Sequence, residues 1–154
     1  MENPKYLLLN HHLPRHQRGS FIIEVLIAVL ILAIGLLAIA SLLGMSMKNS
    51  SSSLEHSNAV VQSYSMLEVL RADKTRAIIG QYNMPDWTCS NPATDSRVGK
   101  ELAGWISNLH NEIGPTACGK ITCSSLTCTV GVRWNDERAT GGKNAKEYLL
   151  STRL

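Results

Sequence analysis

Four cysteines, Cys89, Cys118, Cys123 and Cys128, are the residues whose type and spacing most directly suggest chemistry in this chain. In an oxidising compartment four cysteines are expected to form two disulfides, and three pairings exist. Cys123 and Cys128 enclose four residues, a spacing typical of a hairpin whose opposite positions lie within disulfide reach. We therefore favour Cys123–Cys128 and Cys89–Cys118, while the other two pairings stay open.

Metal binding and redox catalysis are the alternative roles for these thiols. Zinc-binding and redox-active cysteines usually come as C-x-x-C pairs, and the chain contains none. His11, His12 and His16 cluster only near the N-terminus, whereas His56 and His110 are isolated and expected at the surface. The sequence has no nucleotide-binding loop and no H-E-x-x-H or G-x-S-x-G motif. We therefore expect no metal, no cofactor and no enzymatic activity.

Glu24 is a carboxylate at the start of an otherwise apolar stretch. The residues from Val25 to Met47 form a run of 23 without a charge. As a helix this run would extend about 34 Å, enough to cross the roughly 30 Å hydrocarbon core of a bilayer. A carboxylate in such a helix costs roughly 2.5–3.5 kcal/mol, so it usually has a partner, or lies among the lipid headgroups. No Lys or Arg occurs between Arg18 and Lys48.

A short basic segment, residues 1–19, precedes the apolar run and carries a net charge of +2. Positive charge before a membrane helix keeps that side in the cytoplasm, so the rest of the chain is expected to be exported. The apolar run is longer than the core of a secretory signal peptide, and no A-x-A cleavage site follows it. If the chain were cut after Gly19, Ser20 would supply a new amino group one helical turn before Glu24.

The sequence of residues 18–28, RGSFIIEVLIA, resembles the class III signal of type IV pilins and pseudopilins. In that family a basic leader ends in Gly, a prepilin peptidase cuts after it, the new amino group is N-methylated, and the fifth mature residue is Glu. The resemblance implies cleavage between Gly19 and Ser20, methylation of Ser20, and roles in assembly for Phe21 and Glu24. The chain departs from the family pattern at Ser20, where the first mature residue is usually Phe.

The longer stretch EVLIAVLILAIGLLAIASL most resembles minor pilins of the PilV type, the type IV pilus modification proteins. The resemblance implies an α+β, type IV pilin-like fold, with a long N-terminal helix, half of it transmembrane, packed on a small antiparallel sheet. It also implies assembly into a type IV pilus, or priming of one. The expected partners are other minor and major pilins, the prepilin peptidase and the inner membrane. The C-terminal head would be periplasmic, and at the cell surface after assembly.

Three segments follow from these patterns: a cytoplasmic leader at 1–19, a transmembrane and assembly segment at 20–47, and a head at 48–154. Neither Gly nor Pro occurs between Met45 and Gly80, and apolar residues recur at helical spacing. We therefore expect one helix from about Phe21 to about Ile79, ended by Gly80. The serine run at 50–53 is the least regular part of this prediction.

The rest of the head changes from helical to strand periodicity. Prolines and asparagines in residues 81–100 predict a loop. Apolar residues at helical spacing predict a short amphipathic helix over 102–113. Alternation from Ile121 to Trp134, and again over about 145–153, predicts an antiparallel sheet of at least three strands.

Three alternative functions remain: a pilus-tip subunit, a secretion pseudopilin and a membrane anchor for an enzyme. The net charge of +3 is too mild for a binder dominated by phosphate contacts. Residues 118–154 carry +3. A pilus-tip subunit that contributes to adhesion, or to DNA uptake by binding DNA through Arg133 and Lys143, is one alternative, although we expect a solvated strand face. A type II secretion pseudopilin would share the same processing signal. A protein that anchors an enzyme in the membrane would instead keep residues 1–19.

Overall fold

The computed structural model describes residues 18–154 of the chain, with side chains described from Phe21 onward. Most of the expected leader, including His11, His12 and His16, therefore lies outside the described residues. The chain divides into two compact units, residues 1–41 and residues 42–154. Each unit is described by itself.

The first unit, from residue 18 on, is a single helix. It is the beginning of α1, Arg18–Ala72, which is 55 residues long. Within α1 the stretch that starts at Phe21 is long and apolar enough to cross a membrane. The chain therefore has an N-terminal helix with the properties of a membrane span.

In the second unit α1 ends earlier than the sequence pattern predicts. It stops at Ala72, and Asp73 adopts φ −117° and ψ 47° before a separate short helix, α2 (Lys74–Ile78). Gly80 follows with φ 79°, a left-handed conformation that favours glycine. The prediction of one helix up to Ile79 is thus corrected. Aspartate tends to leave helix geometry when its side chain has other partners.

The sheet has four antiparallel strands in the order β1-β2-β3-β4: β1 (Met84–Thr88), β2 (Cys118–Ser124), β3 (Thr127–Trp134) and β4 (Lys146–Arg153). β1 lies in the segment predicted to be a loop. It pairs Met84 with Ile121 and Thr88 with Gly119, with an irregular register between them. Pro85 lacks an amide hydrogen, which an edge strand tolerates. The prediction of a loop is therefore wrong for residues 84–88, because the prolines and asparagines of this segment are typical of loops.

A third helix, α3 (Arg97–Glu112), begins five residues before the predicted helix at 102. Its N-cap, Ser96, accepts a hydrogen bond from the Gly99 amide at 2.9 Å, which satisfies one of the free amides of the first turn. The core lies between the sheet, α3 and the second half of α1, with Leu70, Ile106 and Val130 fully buried in it. The described chain thus combines a long N-terminal apolar helix with a small antiparallel sheet.

Two disulfides brace the head. Cys89–Cys118 joins the end of β1 to the start of β2, and Cys123–Cys128 joins directly opposite residues of β2 and β3. These are the two pairs that the sequence spacing favours. No described cysteine is free, so no described thiol is available to ligate a metal ion.

Candidate functional site

The residues expected to take part in processing and assembly lie at the start of α1. The Gly19–Ser20 bond is within its first turn. Phe21 is 68% exposed, and Glu24 is exposed one helical turn after Ser20. Glu24 forms neither a hydrogen bond nor an ion pair with any side chain described from residue 21 on. No side chain described from Phe21 onward therefore neutralises this carboxylate.

The apolar residues that follow Glu24 are exposed on every side of the helix. All large apolar side chains from Phe21 to Ile39 are between 44% and 74% exposed. Gly35 has no neighbouring atom within 4 Å of a built Cβ position. A helix that is apolar all round must be covered by lipid or by other protein segments. This surface is the largest feature of the described chain that requires an external partner.

Farther along α1 the helix becomes one-sided. Ala59, Met66 and Leu70 are buried in the head, whereas Val61 and Tyr64 are 61% and 52% exposed. The buried positions recur at helical spacing, which places them on one face. The N-terminal part of α1 is therefore exposed on all sides, whereas the part from Ala59 to Leu70 has one face that the head covers.

The serine run is held in the helix by the loop between β3 and β4. Ser52 and Glu55 are buried, and so is Asp136 of that loop. The Asp136 carboxylate accepts hydrogen bonds from Ser52 and from Lys146, and the Lys146 Nζ atom lies 2.8 Å away. Arg138 donates to the Glu55 carboxylate at 2.8 Å. Sequence reasoning missed the contacts of Ser52 and Glu55 because their partners in this loop lie more than 80 positions away.

Burial and hydrogen bonding act against each other on the Asp136 carboxyl group. Burial tends to raise its pKa, but the hydrogen bonds from Lys146 and Ser52 and the charges of Lys146 and Arg138 outweigh that effect. The pKa of Asp136 is therefore held below its ordinary value. The carboxyl group stays ionised, as the contact with Lys146 requires.

A second polar cluster joins the end of α1 to α3. The buried Tyr82 hydroxyl donates to the Glu101 carboxylate and lies 3.2 Å from the Asp73 Oδ2 atom. Arg76 and Arg97 pair with Asp73 and Glu101 at 2.7 Å and 2.9 Å respectively. Burial, together with the two carboxylates, raises the pKa of Tyr82 well above its usual value, so the hydroxyl keeps its proton. This cluster fixes the geometry at the break between α1 and α2.

The residues weighed for other functions are distributed around the head. Arg133 lies over the Trp87 ring at 4.8 Å from its centroid, and Lys143 is exposed in the loop before β4. His56 is exposed at the surface, with its ring edge-on to Trp134 at 6.1 Å. His110 is half-buried and contacts the Ala117 carbonyl at 3.1 Å. No group of three or more His, Cys, Asp or Glu residues within 18–154 is placed to hold a metal ion.

Comparison of the chain with protein-family models, with curated proteins and with solved structures finds no match. The function is therefore argued from the residues and contacts described above.

Proposed function

We propose that this protein is a minor pilin, which takes part in type IV pilus assembly by priming the fibre or by incorporation into it. The observation that carries the proposal is the exposed apolar helix, which begins directly after Glu24 and has no covered face up to Ile39. The α+β layout of one long helix and a small antiparallel sheet is compatible with such a subunit. The protein would act through subunit packing and would not catalyse a reaction.

The physical basis of the proposal is that one surface suits two environments. An uncharged helix is stable in the hydrocarbon core of a bilayer, and it is equally stable when packed among similar helices in a fibre. When the helix moves from the bilayer into the fibre, a specific contact is then needed to align it with its neighbouring subunits. Cleavage after Gly19 would create a cationic amino group at Ser20, and Glu24 of a neighbouring subunit could neutralise it at low cost inside the apolar surroundings.

The head fits an exported location. Two disulfides close loops of 29 and 5 residues in sequence separation, and such bonds persist in oxidising compartments. In the proposed topology residues 1–19 are cytoplasmic and the head is periplasmic, reaching the cell surface after assembly. The other subunits of the pilus and the prepilin peptidase are the proposed partners.

N-terminal mass spectrometry of the protein extracted from membranes tests the processing step. In cells with an active prepilin peptidase we expect a chain that begins at Ser20, with or without one methyl group. A Gly19→Val variant should keep the leader, residues 1–19, because a β-branched residue replaces the glycine next to the cut. A wild-type chain that retains residues 1–19 in such cells would refute the proposal.

The Glu24→Ala variant tests assembly separately from insertion. It should insert into the membrane at least as well as the wild type, since it removes a charge that costs roughly 2.5–3.5 kcal/mol in an apolar helix. It should nevertheless be depleted from sheared surface pili, because the register contact is lost. Ser41→Ala is the matched control, since among the described residues the Ser41 hydroxyl bonds only to the Ala38 carbonyl of its own helix. Normal incorporation of Glu24→Ala would contradict the role given to Glu24.

Recovery of the protein with sheared pili also separates a pilus from a secretion pseudopilus. A minor pilin should co-purify with surface fibres, whereas a pseudopilin should remain with the secretion apparatus in the membrane fraction. The processing experiment alone does not distinguish these systems, because both share the prepilin signal.

A further inference from the structure

The two edges of the sheet differ in how well they are protected from pairing with another strand. β1 has five residues, contains Pro85, and pairs with an irregular register. β4 has eight residues, contains no proline, and pairs with β3 without interruption from Lys146 to Arg153. Short, bulged and proline-containing edges resist the addition of a strand, whereas long regular edges invite it. The β4 edge therefore lacks the protection that the β1 edge has.

The backbone of β4 shows which groups are free at this edge. The Leu154 amide donates to the Leu126 carbonyl at 2.8 Å, on the side of β3. Because amide and carbonyl groups alternate in direction along a strand, the even-numbered residues of β4 face β3 and the odd-numbered ones face away. The outward groups belong to Glu147, Leu149, Ser151 and Arg153. Within the described residues β4 pairs only with β3, and these outward amides and carbonyls form no backbone hydrogen bond to another element, so the edge is open along its length.

The charges on β4 complement those of a second copy in one antiparallel register. When Leu150 lies opposite Leu150 of the second copy, Glu147 lies opposite Arg153 at both ends of the contact. The outward backbone groups then face one another, and the four facing pairs form roughly eight hydrogen bonds. Shifting the strands by two residues in either direction separates Glu147 from Arg153. Neither side chain forms an ion pair with another residue of the described chain.

We infer that the β4 edge is a self-association surface, through which two copies of this chain join their sheets around a two-fold axis at Leu150. The axis is perpendicular to the sheet, since antiparallel neighbours in one sheet are related in that way. The two four-stranded sheets then continue as one sheet across this contact.

The inference does not depend on the proposed function, and the oligomeric state of the protein tests it directly. The full-length protein is purified in detergent micelles, and sedimentation equilibrium at several concentrations gives its dimer dissociation constant. The wild type should dimerise. Glu147→Arg and Arg153→Glu each place like charges opposite one another at both ends, so each should weaken dimerisation about tenfold or more. The double exchange restores opposite charges and should return the dissociation constant to within about threefold of the wild type.

A backbone variant tests the hydrogen bonds separately from the charges. Leu149→Pro removes an outward amide without removing a bond to β3, and it should abolish dimerisation. Leu149→Ala shortens the same side chain, keeps the amide, and should still dimerise. Near-ultraviolet circular dichroism verifies that each head remains folded.

Several results would overturn the inference. These are a monomeric wild type, single charge variants that dimerise normally, or a folded double exchange that fails to recover dimerisation. A dimer that survives Leu149→Pro would also overturn it, because such a contact would not use the β4 backbone. Binding of a different protein to this edge by a monomeric wild type would replace the second copy with another partner.

Discussion

Removing the Tyr82 hydroxyl should destabilise the head measurably. The Tyr82 side chain is fully buried, and its hydroxyl contacts both the Glu101 and the Asp73 carboxylates. A hydroxyl has a single proton to donate, and the shorter contact is with Glu101. Tyr82→Phe therefore deletes one hydrogen bond to a charged acceptor while it leaves the ring, the helix break and the two arginine partners in place.

The size of the effect follows from the exposure of the acceptor. A hydrogen bond to a charged group contributes about 1.5–3 kcal/mol. The Glu101 side chain is 27% exposed, so water can partly replace the lost donor, and we expect a loss of about 2 kcal/mol in the free energy of unfolding. With a urea dependence of about 1.5 kcal/mol/M, the midpoint of unfolding should fall by about 1.3 M.

The loss should also depend on pH. The Tyr82 hydrogen bond is the largest cause that holds the pKa of Glu101 below its ordinary value of about 4.5, and the contact with Arg97 acts in the same direction, while burial opposes both. A carboxyl group whose pKa is lowered on folding stabilises the fold above its unfolded pKa, and this contribution is lost as the pH falls through the folded value. The free energy of unfolding of the wild type should therefore exceed that of Tyr82→Phe most clearly near neutral pH. This difference in stability should narrow as the pH falls below about 4.5.

Tryptophan fluorescence in urea measures this difference on the full-length chain in detergent, because all three tryptophans lie in the head. Tyr64→Phe is the matched control: its ring is 52% exposed, and its hydroxyl makes no hydrogen bond within the described residues. The reasoning would be refuted if Tyr82→Phe cost no more than Tyr64→Phe at neutral pH. An equal loss at neutral and acidic pH would refute the assignment to the Glu101 carboxylate.

Two further predictions concern the packing and the charge of the head. Gly119→Ala should destabilise it by about 1–3 kcal/mol in urea unfolding, because the new Cβ would overlap the Trp105 ring. The exposed Gly104→Ala control should be neutral or stabilising by up to about 1 kcal/mol, since no atom lies near that Cβ position. Asp136→Asn should cost about 2 kcal/mol at neutral pH by leaving Lys146 unpaired, and the cost should shrink as acid protonates the wild-type carboxyl group. Equal midpoints for wild type and Asp136→Asn at neutral pH would contradict this assignment.

Local sequence patterns predicted most elements of the head. They failed where contacts between residues distant in sequence determine the local structure. The alternation of β2 and β3 and the spacing of Cys123 and Cys128 are local signals, and the structure has the corresponding hairpin and bond. β1 has no such signal, because its pairing with β2 and the bond from Cys89 to Cys118 hold it in the sheet. A strand defined by its neighbours is read as a loop when it contains proline.

The serine run is a case in which the element was predicted correctly but its long-range contacts were not. The absence of Gly and Pro predicted that α1 continues through it, and the helix does so. The sequence offered no sign that Ser52 and Glu55 are buried, since such residues are mostly exposed. Their burial depends on Asp136 and Arg138 of a loop more than 80 residues away. Sequence periodicity therefore predicted the element but not the contacts that hold it against the sheet.

The two parts of α1 differ in what must cover them, and this separates the effects of substitutions. Residues such as Met66 and Leu70 are buried by the chain itself, so changes there alter the stability of the head. The apolar residues after Glu24 are exposed on all sides, so their burial requires lipid or other subunits. Distant sites without shared partners act independently. Glu24→Ala should therefore leave the urea midpoint of the head unchanged, while Tyr82→Phe lowers it without affecting N-terminal processing.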